Sequence, residues 1–142
     1  MAKPSILQRW QRLGRDRRHL LVRAAVTLAA ASVGVAVLPF DRAIRFGSVE
    51  RRPGRALSKA DECVWAVETA ARYLPLRAMC IEKGLAVPRL LRRSGVDARL
   101  HYGARHDPQT RKLEAHVWVS VNGALVIGGE EAANFAEVTT YG

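Results

Sequence analysis

The spacing of the apolar residues changes at Gly95, and this change constrains the fold more than any other feature of the sequence. Before Gly95, apolar positions such as Val64, Val67 and Ala71 recur every three or four residues, which is the period of an amphipathic helix. After it, apolar and polar residues alternate, as in the run AHVWVSV that ends at Val121, which is the period of a strand. Helices followed by an antiparallel sheet predict an α+β domain.

Two central helices are predicted before that point. The first begins at Ser58 and ends at Leu74, because a proline follows and restricts the residue before it. The second begins at Cys80 and ends before Gly95, where a basic turn and a glycine form an ordinary helix stop. Pro88 lies inside this second helix, so we expect a bend where its missing N–H deletes a backbone hydrogen bond.

Four strands are predicted after Gly95, since the period there is two. They are Ala98–Gly103, Leu113–Val121, Ala124–Ile127 and Phe135–Val138. Asn122–Gly123 is a strong hairpin signal between the second strand and the third. Asp107–Pro108 marks the loop between the first strand and the second.

The positive charge is concentrated at the start of the chain. The net charge is +10, and residues 1–55 contain 12 Lys/Arg and 3 Asp/Glu. This placement argues against a nucleic-acid site within the folded core, and acidic peptides or membrane headgroups are the partners that such a segment favours. Two cysteines are too few for a disulfide scaffold and indicate a reducing compartment.

A long uncharged run spans residues 24–40 within this basic segment. Its 17 residues fall short of the roughly 20 that a membrane-spanning helix needs. We therefore predict a buried helix that is apolar on every side and ends at Pro39. A signal peptide or a membrane anchor, with peripheral membrane contact through residues 1–40, is the alternative. The polar link before Ser58 divides the chain into an N-terminal segment, residues 1–57, and a second unit, residues 58–142.

Cys80 and His116 are the candidate reactive residues. Cys80 lies in the first turn of a helix, where the helix dipole favours the thiolate; a small buried side chain is the alternative interpretation. His116, Trp118 and Ser120 share one face of their strand. The valines between them form the core face, which leaves the histidine face for the helices to cover. A cysteine at a helix start followed by a strand histidine is the pattern of papain-like and transglutaminase-like sites. Cys63 lies in an apolar helical stripe and is predicted to be a core residue.

The residues around Cys80 and His116 also resemble a known family. The run YLPLRAMCIEKGLAVPRLLRRSGVDARLHYGAR, followed by LEAHVWVSVNGALVIGG, resembles the bacterial transglutaminase-like maturation proteases of lasso-peptide biosynthesis. The common features are a proline, an arginine and a small residue before the cysteine, an Ala/Leu-rich helix, a basic turn, and a His-x-Trp-Val strand. The resemblance covers about residues 58–140, and the Leu-Pro-Phe sequence that ends at Phe40 is also usual there.

The resemblance implies the transglutaminase-like (papain-like) cysteine peptidase fold, with residues 58–142 as the catalytic domain. It implies an enzyme that removes the leader from a ribosomally synthesised precursor peptide through an acyl-enzyme. By position, Cys80 is the nucleophile and His116 is the general base and acid. The third residue of the family is an aspartate on the following strand, and Gly128 occupies that position here.

Glu130 is the candidate that replaces this aspartate. If position 128 faces His116, strand parity places Glu130 on the same face. This requires a three-residue turn, Asn122–Ala124, because a two-residue turn would place Glu131 on that face instead. A solvated surface charge is the alternative interpretation of Glu130.

The resemblance also implies partners. The 57 residues before the catalytic domain do not resemble the winged-helix leader-binding domain that some family members carry, so we expect a separate leader-binding protein. The precursor peptide and a cyclase that resembles asparagine synthetase are the other partners, and the apolar leading helix is the expected docking surface. We expect a cytoplasmic protein. No cofactor, phosphate-binding loop or metal site is predicted, since His19, His101 and His106 lack ligand spacing.

Two rival interpretations belong to other functional classes. The first is a non-catalytic peptide-binding module of the same fold, in which the Cys–His pair is a relic after loss of the aspartate. The second is a membrane-anchored protein that uses residues 1–40.

Overall fold

A computed structural model describes residues 2–47, 58–74 and 80–141, without the side chains of Ser58, Lys59 and Cys80. It contains helices followed by a small antiparallel sheet, as the change of period at Gly95 predicts. The elements in chain order are α1 (Ile6–Arg12), α2 (Arg15–Val37), α3 (Phe40–Ile44), α4 (Ser58–Tyr73), α5 (Cys80–Arg93), β1 (Ala98–His106), β2 (Leu113–Val121), β3 (Ala124–Ile127), α6 (Gly129–Ala132) and β4 (Ala136–Tyr141).

The helix α5 begins and ends where the sequence predicts. Gly95 adopts a φ of 87°, a left-handed conformation that glycine tolerates best. The N–H of Val96 donates to the carbonyl of Leu91 at 2.9 Å, which is the hydrogen bond of a Schellman helix end. Pro88 is fully buried inside one continuous helix.

The four strands form one sheet in the order β3-β2-β1-β4, and every neighbouring pair is antiparallel. β1 continues to His106, three residues beyond the predicted end at Gly103, because it pairs with β2 along its whole length, from Ala98↔Val121 to His106↔Leu113. β4 begins one residue later than predicted and extends to Tyr141, since it pairs with β1 as far as Leu100.

The turn between β2 and β3 corrects one prediction. Val121 pairs directly with Ala124, and Asn122 and Gly123 adopt φ values of 50° and 81°, so the turn has two residues and not three. Positive φ at both central positions is the geometry that an Asn-Gly hairpin favours. The register then shifts: Ser120 pairs with Leu125 and Val119 with Ile127, so the residue between these partners forms a β-bulge.

The valine face of β2 is the core face, as predicted. Val117, Val119 and Val121 are between 0 and 3% exposed and belong to one buried cluster with residues of α2, α4 and α5. The helices therefore pack their apolar sides against the valines and not against the opposite face that carries His116. That face contacts Phe135 and the segment around α6 instead.

The long helix α2 is buried on one side, which corrects the prediction of burial all round. Ala24, Leu28 and Ala31 are 0% exposed and lie in the same core as α4 and α5. The opposite side exposes a series of valines: Val22, Val26, Val33 and Val37. The helix ends at Val37, just before Pro39, as predicted. Among the described helices, α2 is also the one long and apolar enough to cross a membrane, a property shared by core helices and signal sequences.

Gly84 sets the distance between α5 and β2. A Cβ atom at this position would lie 2.6 Å from Cγ2 of Val117 and 3.2 Å from Cδ1 of Leu100. Both neighbours are buried in the core, so neither has free space into which it can move. The helix backbone thus approaches the sheet as closely as it does because residue 84 has no side chain.

We expect Gly84→Ala to lower the free energy of unfolding by about 1–3 kcal/mol, because the added methyl group overpacks the core. Gly34→Ala is the matched control in α2, where the nearest atom to a new Cβ is 3.9 Å away. That variant should be stabilised by about 0.5–1 kcal/mol, since alanine favours the helix over glycine. Urea unfolding of the two variants measures both changes. An equal gain in stability for both would contradict the close packing at Gly84.

Candidate functional site

An open groove with a volume of about 1060 Å³ lies along the first half of β2. β3 pairs with β2 from Val121 back to Val119, and the groove occupies the edge beyond this pairing. Residues from both faces of β2 line it, including His116 and Val117, and α5 contributes Lys83. The groove is therefore the place where the histidine strand and the first turns of α5 come together.

The imidazole of His116 is held by a backbone carbonyl. Its Nε2 atom lies 2.8 Å from the carbonyl oxygen of Gly128, and a carbonyl can only accept, so Nε2 carries the proton. In the neutral ring, Nδ1 is then the unprotonated nitrogen that can accept a proton. Phe135 lies against the ring with a centroid separation of 5.1 Å, and Trp118 stacks on it at 6.0 Å. The residue is 8% exposed, so the ring orientation is fixed by packing and by one hydrogen bond.

Gly128 contributes its main-chain carbonyl to the site, and its position has no room for a larger residue. Its φ is 71°, in the left-handed region, where it caps the start of α6. A Cβ at this position would lie 2.6 Å from the carbonyl oxygen of Val117 and 3.2 Å from Cα of Trp118. An aspartate, which the resemblance leads one to expect here, would be strained and would collide with β2. The carbonyl of Gly128 occupies the hydrogen-bonding position beside His116 instead.

Glu130 does not lie on a strand. β3 ends at Ile127 and Glu130 belongs to α6, so the parity argument that placed it beside His116 fails because Glu130 does not lie on a strand. The bulge offsets the two-residue turn, so the turn length is not the reason. Its side chain is exposed, although it lines the same groove as His116. Among the described residues, the carbonyl of Gly128 accepts the hydrogen bond of the imidazole. The catalytic role of Glu130 stays a prediction.

Cys80 is the first residue of α5, as predicted, but its side chain lies outside the described residues. Lys83, in the same turn of the helix, lines the groove and forms an ion pair with Glu68 at 3.0 Å. The start of α5 therefore borders the groove that contains His116. Cys63, by contrast, is 2% exposed within the core cluster, which confirms its prediction as a packing residue.

The charges of the groove are largely paired. Lys83 pairs with Glu68, and Nε of Arg105 donates to Glu114 at 2.7 Å. The guanidinium of Arg105 also lies over the ring of Phe135 at 4.6 Å, which links this pair to the residue that packs on His116. Glu130 and Glu131 supply the remaining charge of the groove wall.

His101 belongs to a network that sequence reasoning missed. Its Nε2 lies 2.7 Å from Oγ of Ser120, and its Nδ1 lies 2.5 Å from Oε1 of Glu137. The ring stacks on Trp118 with an interplanar angle of 6°, so Trp118 lies between His101 and His116. The register of the β1–β2 hairpin alone places His101 opposite Trp118. No local signal indicates Glu137, which is 36 residues from His101 in sequence. The pairing of β1 with β4 brings these two residues together. Within the described chain, no cluster of His, Cys, Asp and Glu is arranged to hold a metal ion.

Glu137 should make the stability of the sheet depend on pH. Hydrogen bonds from Thr140 and then from His101 lower the pKa of Glu137 below its ordinary value. A carboxyl whose folded pKa is lowered stabilises the protein above its unfolded pKa and loses this contribution as pH falls through the folded value. We expect Glu137→Gln to unfold at a lower urea concentration than wild type at neutral pH, and the difference to vanish in acid.

The matched control for this prediction is Glu62→Gln, at an exposed glutamate of α4. Its unfolding midpoint should follow that of wild type across the same pH range. A difference between Glu137→Gln and wild type that grows as pH falls would contradict the assigned hydrogen bonds.

The comparisons with known proteins agree with this architecture. A model of the transglutaminase-like superfamily matches residues 20–140, which is most of the chain. The match includes most of α2, the helices α4 and α5, and the sheet as far as Thr140. The comparisons with curated proteins and with solved structures found no match. The α+β architecture, the helix that starts at Cys80 and the strand that carries His116 lie within the matched region. The chain therefore belongs to the transglutaminase-like superfamily.

Proposed function

We propose that this protein is a cysteine peptidase that removes the leader from a ribosomally synthesised lasso-peptide precursor. Members of the superfamily are typically cysteine-type peptidases or transferases. The observation that carries the proposal is the hydrogen bond from His116 Nε2 to the carbonyl of Gly128. It leaves Nδ1 as the basic nitrogen, in a groove that the first turns of α5 border.

In the proposed mechanism, Cys80 is the nucleophile and His116 is the general base and acid. Nδ1 accepts the thiol proton, and the thiolate attacks the carbonyl carbon of the scissile peptide bond. Backbone N–H groups at the start of α5 have no helical partner and stabilise the oxyanion. The imidazolium then protonates the leaving amine, and water releases the acyl group from the sulfur in the second half of the reaction.

The carbonyl of Gly128 performs the orienting role that an aspartate has elsewhere in the family. It holds the ring in the correct tautomer, which is the main task of the third residue in such sites. A neutral carbonyl stabilises the imidazolium less than a carboxylate does, because it carries no net charge. We therefore expect a functional pair, Cys80 and His116, supported by the main chain, with a lower rate than a complete triad.

The choice of substrate rests on the resemblance of the residues around Cys80 and His116 to the lasso-peptide maturation proteases. The partners proposed with it are the precursor peptide, a separate leader-binding protein and an asparagine-synthetase-like cyclase. The cytoplasm is the proposed location, since the two cysteines suit a reducing compartment.

A non-catalytic peptide-binding module is the second candidate. The observation in its favour is Gly128 at the position of the family's aspartate, with a backbone that excludes any side chain. Iodoacetamide alkylation separates the two functions. Rapid modification of Cys80 with an apparent pKa well below that of an ordinary thiol supports the peptidase, and an inert thiol supports the module.

Replacement of Cys80 or His116 by alanine should abolish cleavage of the cognate precursor, measured by mass spectrometry with the leader-binding partner present. The double variant should be little worse than either single variant, because residues of one catalytic unit are strongly non-additive. Cys63→Ala is the matched control: it should keep its activity and lose only packing stability, since Cys63 lies in the core. Wild-type turnover by Cys80→Ala would exclude the peptidase.

The variant Glu130→Gln distinguishes a glutamate-assisted site from one that relies on the Gly128 carbonyl. If the carbonyl orients His116, this variant should retain kcat within about threefold of wild type, whereas loss of an orienting carboxylate costs about 10⁴-fold. Glu131→Gln, at the neighbouring exposed position on α6, is the matched control. A loss of several orders of magnitude in Glu130→Gln alone would restore Glu130 as the third catalytic residue.

A further inference from the structure

A second groove lies among the N-terminal helices, away from His116. It is formed by α1, α2 and α4 and has a volume of about 410 Å³. This volume is within the range of about 300–1,000 Å³ that is usual for ligand sites. Three aromatic side chains line it, Trp10, Trp65 and Tyr73. Aliphatic residues complete the lining, among them Leu13 and Leu21. None of its lining residues is shared with the groove of His116.

The helix α1 is fixed in place as one wall of this groove. Ser5 and Gln8 form a complete capping box at its start, a local arrangement that stabilises a short helix. At the other side, Arg9 reaches across to α4 and donates a hydrogen bond to the hydroxyl of Tyr73 at 3.0 Å. This hydrogen bond joins two walls of the groove, α1 and α4.

The charged residues of the groove are all positive. Arg9 and Arg72 line it, and no Asp or Glu is among the lining residues. Two more arginines stand over its aromatic walls: Arg17 lies 5.1 Å from the ring of Trp65, and Arg18 lies 6.0 Å from that of Trp10. An apolar floor with a cationic rim is complementary to a peptide that carries carboxylates around a large apolar side chain. It repels a basic peptide of the same size.

The groove ends close to the proposed nucleophile along the chain. Leu74, one of its lining residues, is six positions before Cys80, so the intervening chain can span at most about 20 Å. A peptide anchored in the groove by one apolar side chain can therefore reach the start of α5 with a short extended segment.

We propose that this groove is a docking subsite for an acidic segment of the peptide substrate that contains an aromatic or large aliphatic side chain. The assignment of the bound peptide as substrate rests on the proposed peptidase function. The apolar side chain enters between Trp10 and Trp65, and the flanking carboxylates pair with Arg9 and Arg72. Binding energy from this remote contact holds the substrate while its scissile bond lies at Cys80.

Binding is tested first with the variant Cys80→Ala, so that the result does not depend on catalysis. The probe is a fluorescein-labelled peptide with the sequence Gly-Asp-Glu-Phe-Leu-Asp-Glu-Gly, and fluorescence anisotropy measures its affinity. A second peptide in which lysines replace the acidic residues should bind at least about tenfold more weakly, because the rim charges then repel it. The affinity of the acidic peptide should fall as the salt concentration rises.

Two further substitutions in the Cys80→Ala background locate the site. Arg72→Glu and Trp65→Ala should each weaken the acidic peptide by at least about fivefold, through charge reversal and through loss of the apolar wall. Arg99→Glu, which reverses an exposed arginine of β1 outside the groove, is the matched control and should bind as tightly as the parent. Arg72 is exposed, so its replacement leaves the core intact. The far-UV circular dichroism spectra of both variants should match that of the parent, which shows that each variant is folded.

The outcomes separate this proposal from the peptidase proposal. Equal affinity of Arg72→Glu and Arg99→Glu, or a preference for the lysine peptide, would overturn the docking subsite. A third outcome is that the protein binds phosphatidylglycerol vesicles but not the acidic peptide, and that Arg72→Glu abolishes the vesicle binding. This result would assign the groove to lipid headgroups and would also overturn the docking subsite. If the acidic peptide binds as expected but wild-type protein cleaves no precursor, the peptidase fails and the groove remains a peptide site without its role as a substrate subsite.

In the otherwise wild-type enzyme, Arg72→Glu should raise the KM for the cognate precursor by at least about fivefold with kcat within about twofold, as expected for a contact made equally in the ground state and the transition state. A fall in kcat with unchanged KM would overturn the subsite, since it would place Arg72 in the chemistry or in the fold.

Discussion

The close contact between α5 and β2 at Gly84 is the constraint on which the rest of the structure depends. The helix backbone lies against Val117 because residue 84 has no side chain. Leu85, Leu90 and Leu91 of the same helix are buried in the core cluster that contains Val117. The same approach brings the first turns of α5 to the groove that contains His116. Since the core is densely packed, a methyl group added at position 84 would push α5 away from β2. The start of α5 would then move relative to the groove.

The two faces of β2 have separate tasks. The valines pack into the core, while His116, Trp118 and Ser120 form a continuous polar and aromatic layer with His101. Within this layer, the orientation of His116 is set by the main chain of a left-handed glycine and not by an acidic side chain. A carbonyl fixes the tautomer but adds no charge, so the proposed peptidase depends more on geometry than on electrostatic stabilisation of the imidazolium.

The N-terminal helices are continuous with the rest of the core. Ala24, Leu28 and Ala31 pack in one cluster with α4 and α5, and the family match begins at residue 20, within α2. The basic segment thus contributes to the stability of the domain and also presents arginines around an apolar groove. The division of the chain at residue 57 stays a prediction, as residues 48–57 lie outside the described part.

The sequence by itself determined the helices on either side of Cys80, the strand of His116, the core position of Cys63 and the valine face of β2, because each depends on the spacing of neighbouring residues. Only the tertiary structure decided what surrounds His116. β3 ends at Ile127, so Glu130 belongs to a helix and not to the strand. The carbonyl of Gly128, between the two elements, accepts the hydrogen bond of the imidazole. The tertiary structure also decided the contact of His101 with Glu137 and the burial of α2 on one side. Both depend on segments that are distant in sequence. Such contacts follow from how whole elements pack, and no local pattern of side chains encodes them.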